Sequence, residues 1–342
     1  MVEKSSVIFF IEGQEHLRFI EPYILILRDI GCEISITSLE ELKFTEENLD
    51  LKVNLVNKNN LREYFRNISG DWVFTTTPGV GSYYFPKSRN RITKKKIRYV
   101  YVFHSLVSPN QVYLDKSFYK FDIILSPNKL ISDQLKFLTP KKVQIYTVGY
   151  PVLNHYKHNN ETSEDSTILV APSWGKNSFL FNYFFMETLV ERLSKLNKKI
   201  LIRPHPMHIE KVINDQRLNN LNIEIDTDKN LNYLKDISLL VTDWSGISLE
   251  YFYVTNNPVI FIDSLKKKRR KLTKKENSLE LIEDKVRDII GQIIKVEDVV
   301  GCNLNLENSQ NKENLKYLSK IYSPEFNYDI VKIKIQQFLM SL

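Results

Sequence analysis

The sequence predicts an α/β protein with two Rossmann-like, doubly wound domains that face a cleft. Strand and helix patterns alternate along most of the chain, and a polar stretch at 158–167 divides them into two sets. Polar and charged residues follow several of the apolar strands, which is where doubly wound sheets bind ligands. We therefore expect an N-terminal domain over 1–157, a second domain over 165–325 and a C-terminal helix over 326–342.

Each expected element follows from its hydrophobic pattern. In the first set, short apolar runs predict strands and amphipathic runs predict helices, with strands at 7–11, 32–37, 72–76, 97–103, 121–126 and 143–148 and helices near 14–30, 59–68 and 128–138. In the second set, the same patterns predict strands at 167–171, 199–203, 222–225, 238–242 and 258–262 and helices near 178–195, 208–218, 229–235 and 246–254. The C-terminal residues 329–342 favour a helix, although alternating valine, lysine and isoleucine there also fit a strand.

The composition is that of a soluble globular protein. The 342 residues are 42% apolar and 26% charged, and no window approaches the ~18 apolar residues that would cross a bilayer. The first apolar run, at 7–11, is too short for the core of a signal peptide. Cys32 and Cys302 are interpreted as free thiols. We therefore expect a cytoplasmic protein in a reducing compartment.

The net charge of +7 comes from two short basic strips, because residues 266–275 carry eight basic side chains and residues 87–98 carry seven. These strips could be solvated loops, or they could bind an anionic membrane or a phosphate-bearing polymer. A polybasic segment gains about 1 kcal/mol per basic residue near anionic lipid. Nucleic acid is not expected, since the strips lack interleaved aromatic residues and no nucleic-acid-binding motif is present. The strips favour a peripheral protein on the inner face of the plasma membrane.

Two strand exits in the second set carry groups that can hold a phosphate. In LLVTDWSGISLEY at 239–251, a buried strand ends in a tight turn into a helix, with Ser245 as the expected N-cap and Gly246 exposing the backbone. In KILIRPHPMH at 199–208, Arg203 and His205 follow a strand, and two prolines stiffen its exit. We expect the arginine, the histidine and the helix N-terminus to converge on one anion.

Other motifs limit the choice of cofactor. The exit APSWGKNS at 171–178 is not a Walker A loop, but Ser173 and Lys176 before a helix favour a contact to a nucleotide or a donor phosphate. Neither domain contains GxGxxG, so no dinucleotide and no other tightly bound cofactor is expected. Asp226 and Asp228 have the Asp-x-Asp form of metal-dependent glycosyltransferases, yet aspartates after a strand commonly serve turns. A divalent cation is therefore left open without being indicated.

Together these motifs carry a family resemblance. RPHP at 203–206, TDWSGISLEY at 242–251 and NPVIFID at 257–263 resemble the second half of the CDP-glycerol glycerophosphotransferase family, the teichoic-acid primases and polymerases. YVFHSLVSPNQVY at 101–113 resembles that family's strand ending in His-Gly-Thr. The resemblance implies a GT-B fold. It also implies transfer of a glycerol phosphate unit from CDP-glycerol to a hydroxyl of a lipid-linked or polymeric surface-glycan precursor, with release of CMP.

The resemblance also implies roles for individual residues. His104 matches the family's proposed general base, and histidine suits that task because its ordinary pKa is about 6.5. The expected catalytic residues are His104 and His205. The expected donor-binding residues, with Glu250 as their support, are Arg203, Ser173, Trp174, Lys176, His208, Asp243, Ser245, Gly246 and Ser248. The chain departs from the family at Gly246, where the family has serine, and at Ser105 and Leu106, where it has Gly-Thr.

Several side-chain alternatives stay open at this point. His104 could cap Ser105 or Ser108, and Arg203 could pair with a carboxylate. Asp243 could hold the turn without binding a ligand, and Trp244 could either pack in the core or stack on a base. Glu250 could orient His205 or lie on a solvated helix face. The other histidines, His16, His155 and His158, show no metal-ligand spacing.

Three functions also compete. The first is glycerophosphate transfer, with phosphoribitol or another nucleotide-linked unit as a variant donor. The second is a GT-B glycosyltransferase that uses a nucleotide sugar for capsule, teichoic acid or another surface glycan. The third is a non-catalytic protein that binds a polyanion.

Overall fold

The computed structural model describes residues 5–44, 51–114, 116–157, 167–175, 177–228, 234–265, 278–301, 318 and 325–340. The chain forms two compact units. The first contains Met1–Ser105, Val112–Asn154 and Ile321–Leu342, and the second contains Leu106–Gln111 and His155–Lys320. The C-terminal segment therefore belongs to the first unit, whereas the sequence pattern divided the chain once, at 158–167. Of that expected linker, only Thr167 is among the described residues.

The first unit is built on a parallel sheet. Its described strands are β1 (Ser6–Ile11), β2 (Glu33–Ser38), β3 (Val53–Leu55), β4 (Trp72–Thr75), β5 (Arg98–Val102), β6 (Ile123–Ser126) and β7 (Gln144–Thr147). They lie in the order β3-β2-β1-β4-β5-β6-β7. The strand order reverses between β1 and β4, so their carboxyl ends form the switch point at which doubly wound sheets bind ligands.

The apolar sequence of β1 explains its central place, because parallel strands are covered on both faces. The described helices of this part of the chain are α1 (Gln14–Asp29), α2 (Leu61–Asn67), α3 (Pro109–Val112), α4 (Lys129–Leu138) and α5 (Val152–Lys157). Phe9 of β1 packs in the core cluster that includes Leu17 and Ile24 of α1. Phe10 points to the other face, where its ring lies 5.0 Å from that of Phe65 in α2.

The second unit repeats the architecture. Its described strands are β8 (Thr167–Ala171), β9 (Lys199–Ile202), β10 (Glu224–Ile225), β11 (Ile237–Thr242), β12 (Val259–Ile262) and β13 (Gly291–Ile294), in the parallel order β10-β9-β8-β11-β12-β13. Its helices include α6 (Tyr183–Ser194), α7 (Ile209–Ile213), α8 (Gln216–Asn219), α9 (Ile247–Thr255) and α10 (Ile282–Ile290). The switch point lies between β8 and β11. Two doubly wound sheets confirm the predicted α/β class.

The structure differs from the predicted elements in a few places. The helix predicted at 208–218 is split into α7 and α8, because Asp215 accepts hydrogen bonds from the backbone N–H groups of Arg217 and Leu218 and so starts a new helix. The elements β3, β13 and α10 were not predicted. The helix predicted near 229–235 lies mostly outside the described residues. Each helix that the structure describes is too short or too polar to span a bilayer.

The C-terminal residues form a helix, α11 (Tyr328–Met340), and the strand alternative for this segment is wrong. Its Phe338 is fully buried. The Phe338 ring lies 5.6 Å from that of Trp72 in β4 and 5.5 Å from that of Tyr146 in β7. The last described helix of the chain thus completes the core of the first unit.

We predict that Phe338→Ala lowers the free energy of unfolding by about 3–5 kcal/mol, because it leaves a cavity against β4. Met340→Ala, at a side chain that is 73% exposed on the same helix, should change it by less than about 0.5 kcal/mol. Urea unfolding followed by tryptophan fluorescence measures both. Equal effects of the two substitutions would contradict the packing of α11 on the sheet.

Candidate active site

His104, the predicted general base, follows β5 at the carboxyl edge of the first sheet. Its Nδ1 lies 3.2 Å from the Tyr101 hydroxyl, and its Nε2 lies 3.5 Å from the Tyr113 hydroxyl. Ser108 instead donates its backbone N–H and its hydroxyl to the Glu283 carboxylate, at 2.9 and 2.7 Å. The alternative in which His104 caps Ser108 is therefore wrong. Both imidazole nitrogens of His104 face phenolic hydroxyls.

The surroundings keep His104 neutral. The side chain is half-buried, and burial lowers its pKa from 6.5 to about 3, with charge on His16 and Arg18 as smaller causes. A hydrogen bond to the backbone of Val102 acts in the opposite direction. Near neutral pH the imidazole therefore carries the lone pair that a general base needs, although it holds a proton weakly.

The fold also brings His16 to this edge. His16 lies in the first turn of α1, which follows β1, and its Nδ1 is 3.1 Å from the hydroxyl of Thr76, which follows β4. Its ring centroid is 5.3 Å from that of His104. His16 has no metal-ligand spacing in the sequence, so no role was predicted for it. The signal that could have identified it is its position at the start of the helix after the first strand.

In the second unit, one carboxylate ties three strand exits together. Asp243, which follows β11, is 2% exposed. Its Oδ1 accepts the Ser173 backbone N–H at 2.9 Å, and its Oδ2 accepts the hydroxyls of Ser173 and Ser264 at 2.8 and 3.2 Å. Ser173 follows β8 and Ser264 follows β12. These bonds favour the alternative in which Asp243 holds the turn, and a donor contact from Asp243 or Ser173 stays a prediction.

The turn after β11 leads into α9, where backbone N–H groups were predicted to meet an anion. The N-cap of α9 is Gly246, so the expectation that Ser245 caps the helix is wrong. The Ser245 carbonyl oxygen accepts the Ser248 hydroxyl at 2.9 Å, and a donor contact of Ser248 stays a prediction. The N–H groups of Ser245, Gly246 and Ile247 have no hydrogen-bond acceptor among the described residues. These N–H groups at a helix start suit an anion.

Trp244 packs within the protein. The guanidinium carbon of Arg287, on α10, lies 3.8 Å from the centroid of the Trp244 ring. The indole N–H of Trp244 donates to the Ser264 carbonyl oxygen at 2.8 Å. Arg287 in turn donates to Asp263 at 3.3 Å, and burial lowers the pKa of its guanidinium. The structure thus favours the packing role of Trp244 over stacking on a base, since Arg287 covers one face of the ring.

The exits of β8 and β9 are joined through histidines. The Nδ1 of His205 accepts the Met207 backbone N–H at 3.3 Å, which orients the ring at the start of a short 3₁₀ turn. The His205 ring centroid lies 6.0 Å from that of Trp174, and the Nε2 of His208 accepts the Gly175 N–H at 3.5 Å. The predicted residues Trp174, His205 and His208 are therefore neighbours. Lys176 lies outside the described residues.

Arg203 forms an ion pair with Asp226, which is the carboxylate alternative left open by the sequence. The other carboxylate oxygen of Asp226 accepts the Asp228 backbone N–H at 2.8 Å. The Asp-x-Asp sequence thus serves a turn and an ion pair. A guanidinium has five N–H donors, so a further contact from Arg203 to a donor phosphate stays a prediction. Among the described residues, no group of three or more His, Cys, Asp or Glu side chains is placed to hold a metal.

Glu250, the predicted supporting residue, is only 5% exposed on α9. The alternative of a solvated helix face is therefore wrong, and an orienting effect on His205 stays a prediction. A surface cavity of about 730 Å³ lies at α7 and α8, and its lining includes no predicted site residue. The lining does include Met207, between His205 and His208, so the cavity lies next to the exit of β9. The candidate site is the carboxyl edge of each sheet.

Comparison with known proteins agrees with the motif pattern. Residues 108–271 match the family model described as CDP-Glycerol:Poly(glycerophosphate) glycerophosphotransferase, which confirms the resemblance predicted from the motifs. The match includes the exits of β8, β9 and β11, whereas His104 and His16 lie before it. No curated protein sequence is significantly similar to the chain.

Solved structures share the fold. The chain is similar to the wall teichoic acid polymerase TagF, with a TM-score of 0.63 at 15% identity, over 98% of this chain and 89% of that chain. A TagF variant soaked with CDPG gives a TM-score of 0.64 at 14% identity, over 98% and 89% of the two chains. The MnaA-UDP co-structure from S. aureus gives a TM-score of 0.61 at 12% identity, over 99% and 98%. These likenesses support the GT-B architecture.

We predict that Asp243→Ala lowers the free energy of unfolding by at least about 3 kcal/mol, because three donors lose a buried acceptor; bonds to a charged group contribute about 1.5–3 kcal/mol each, and losses at one shared acceptor are not additive. Asp288→Ala removes an exposed carboxylate from α10 and should change stability by less than about 0.5 kcal/mol. Urea unfolding of both variants provides the comparison. If Asp243→Ala lowered the free energy of unfolding no more than Asp288→Ala does, the Asp243 carboxylate would not hold the three loops together.

Proposed function

We propose that this chain, whose residues 108–271 match the model of the CDP-glycerol:poly(glycerophosphate) glycerophosphotransferase family, transfers a glycerol phosphate unit from CDP-glycerol to a hydroxyl of a surface-polymer precursor. The observation that carries the proposal is the edge of the second sheet. The residues at this edge lie within the region that matches the family model. They include the start of α9, where three N–H groups have no acceptor among the described residues, the carboxylate of Asp243 that holds three loops together, and His205 beside Trp174.

The donor side of the reaction needs positive potential at a pyrophosphate. Leaving-group charge in phosphoryl transfer is stabilised mainly by positioned donors and cations. The N–H groups of 245–247 supply fixed donors at the positive end of α9, and we assign them to the donor phosphates. His205 is assigned as a phosphate ligand or as the acid for the departing CMP. Arg203, held by Asp226, is assigned to the same phosphates.

The acceptor side needs a base. We assign His104, whose neutral imidazole takes the proton of the acceptor hydroxyl while the acceptor oxygen bonds to the phosphorus that carries glycerol. The bond between that phosphorus and the bridging oxygen breaks, and CMP leaves with the bond's electrons. The acceptor is assigned as a lipid-linked or polymeric surface glycan, because the family description names poly(glycerophosphate) as the acceptor of the group from CDP-glycerol.

Two rival functions give different experimental results. A GT-B enzyme that uses a nucleotide sugar would release a nucleotide from a UDP- or CMP-sugar and not from CDP-glycerol. A polyanion-binding protein would release nothing from either. A CDP-ribitol donor would give CMP and leave the chemical assignment intact while changing the polyol.

We predict that the purified chain releases CMP from CDP-glycerol in the presence of a glycerol phosphate-primed acceptor, and that His205→Asn lowers kcat by about 10²-fold or more. Met207→Ala changes an exposed residue of the same 3₁₀ turn and should retain activity within about twofold. Radiolabel transfer from CDP-glycerol, CDP-ribitol and UDP-sugars measures both points. Turnover with a UDP-sugar and not with CDP-glycerol would overturn the assignment of the donor.

We also propose that the chain binds the inner surface of the plasma membrane. The strip at 266–275 lies outside the described residues. The surface proposed to bind lipid is therefore the strip at 87–98. Lys87 and Lys96 pair with Asp122 at 3.1 and 3.0 Å, which reduces the charge available to a lipid.

The exposed basic side chains of the strip include Arg89, Arg91 and Lys94. The same part of the chain also exposes the large side chains of Tyr83, Tyr84 and Ile92. Basic and amphipathic aromatic residues together suit an anionic interface.

Charge reversal of Arg89, Arg91 and Lys94 to glutamate should weaken binding to phosphatidylserine vesicles at low salt by about 10²-fold or more, since each basic residue contributes about 1 kcal/mol. The matched control reverses three exposed lysines of the same unit, Lys129, Lys136 and Lys141. Vesicle sedimentation gives the partition of each protein. If both triple variants lost binding equally, net charge rather than this strip would explain the association.

A further inference from the structure

We propose that His16 is a positioning residue of the transfer reaction that acts through His104, by sharing the proton that His104 takes from the acceptor hydroxyl. The inference rests on the proposed function, because it concerns the fate of the proton in that reaction. It adds a residue that lies outside the region matched by the family model. His16, His104 and the residues around them all belong to the first unit.

The first observation is position. Ligands of doubly wound sheets bind beyond the carboxyl ends of the strands at the switch point, which here lies between β1 and β4. His16 is in the first turn of the helix after β1, and its Nδ1 is 3.1 Å from the hydroxyl of Thr76 after β4. The contact spans the switch point. His104 follows the next strand, β5, so the two imidazoles occupy one continuous edge of the sheet.

The second observation is the fixed geometry of the pair. The ring centroids of His16 and His104 are 5.3 Å apart, with an angle of 80° between the ring planes. Phe19 packs on His104 at 5.6 Å, and Tyr113 packs on it at 6.0 Å. The Tyr101 hydroxyl faces the Nδ1 of His104. Aromatic rings and the Tyr101 hydroxyl therefore surround the His104 imidazole where it packs edge-on against His16.

The third observation is the charge around each ring. Burial lowers the pKa of His16, while Glu15, Glu12 and Glu40 raise it and Arg18 lowers it. The Glu15 carboxylate approaches the Nε2 of His16 at 4.0 Å. For His104, His16 and Arg18 add to the lowering of the pKa by burial, and the hydrogen bond to the Val102 backbone opposes it. Negative charge is therefore concentrated on the His16 side of the pair.

These charges determine where a proton is stable. Two imidazoles this close titrate as a coupled pair, and the first proton belongs to the pair rather than to one ring. When the acceptor O–H bond breaks, His104 gains the proton and the pair gains one positive charge. That charge is stabilised on the His16 side by Glu15 and its neighbours. The proton later leaves to solvent, which His16 reaches because its side chain is 21% exposed.

The test is a pH profile of kcat/KM for His16→Asn. Asparagine keeps a polar atom for Thr76 and removes the titratable ring. In the wild type, the acid limb reports the first proton of the pair. In His16→Asn only His104 remains, and burial, the largest cause of its low pKa, is retained. We therefore expect the acid limb to move to lower pH and kcat to fall about 10-fold, with KM for CDP-glycerol unchanged.

A control separates this role from a structural one. Thr76→Val breaks the hydrogen bond to His16 without removing an ionisable group, so the acid limb should stay at the wild-type pH whatever the change in rate. Thermal unfolding checks that both variants are folded. An acid limb that stays in place for His16→Asn, or that moves equally for Thr76→Val, would overturn the proposal.

A second measurement does not depend on activity. Imidazole ¹H–¹³C signals of the full chain, assigned with His16→Asn and His104→Asn, give the titration of each ring. We expect the His104 signal to respond to the titration of His16 in the wild type and to show a single step in His16→Asn. Independent titration of the two rings would overturn the pair. Absence of turnover by the wild type with CDP-glycerol would instead count against the proposed function.

Discussion

The second unit depends on the buried carboxylate of Asp243. A buried charge is unfavourable unless hydrogen bonds replace its hydration, and here three donors from the exits of β8 and β12 do so. The same bonds fix the turn that opens α9, where the N–H groups of 245–247 have no hydrogen-bond acceptor among the described residues. The anion-binding capacity of this edge is therefore a property of the backbone, supported by an acid that need not touch the ligand.

The two sheets use one architecture for opposite chemical tasks. Each reverses strand order at its centre, and the chemistry-bearing residues of each follow the carboxyl ends of neighbouring strands. In the first unit, burial makes His104 a neutral imidazole suited to accept a proton. In the second, N–H groups, His205 and the paired Arg203 offer donors to a phosphate. The proposed transfer from CDP-glycerol to a hydroxyl assigns one of these two tasks to each edge.

Sequence reasoning identified the site segments more reliably than the roles of their side chains. RPHP and TDWSG do lie at the carboxyl edge of the second sheet, as expected. The hydroxyls of Ser173 and Ser248 were assigned to the donor, but a carboxylate and a backbone carbonyl already accept them. Glu250 was allowed a solvated face and is buried. Side-chain partners of this kind depend on neighbours that a local pattern does not contain.

The sequence by itself determined the α/β class, most of the strands and helices, and the strand ends that carry polar residues, because hydrophobic periodicity is a local property. It missed β13 and α10, although Ile282, Val286 and Ile290 have helical spacing. Only the tertiary structure decided that Thr76 meets His16 across 60 positions and that Asp243 meets Ser173 across 70. Such contacts follow from the order of parallel strands, since strands adjacent in the sheet are separated in the chain by whole crossover helices.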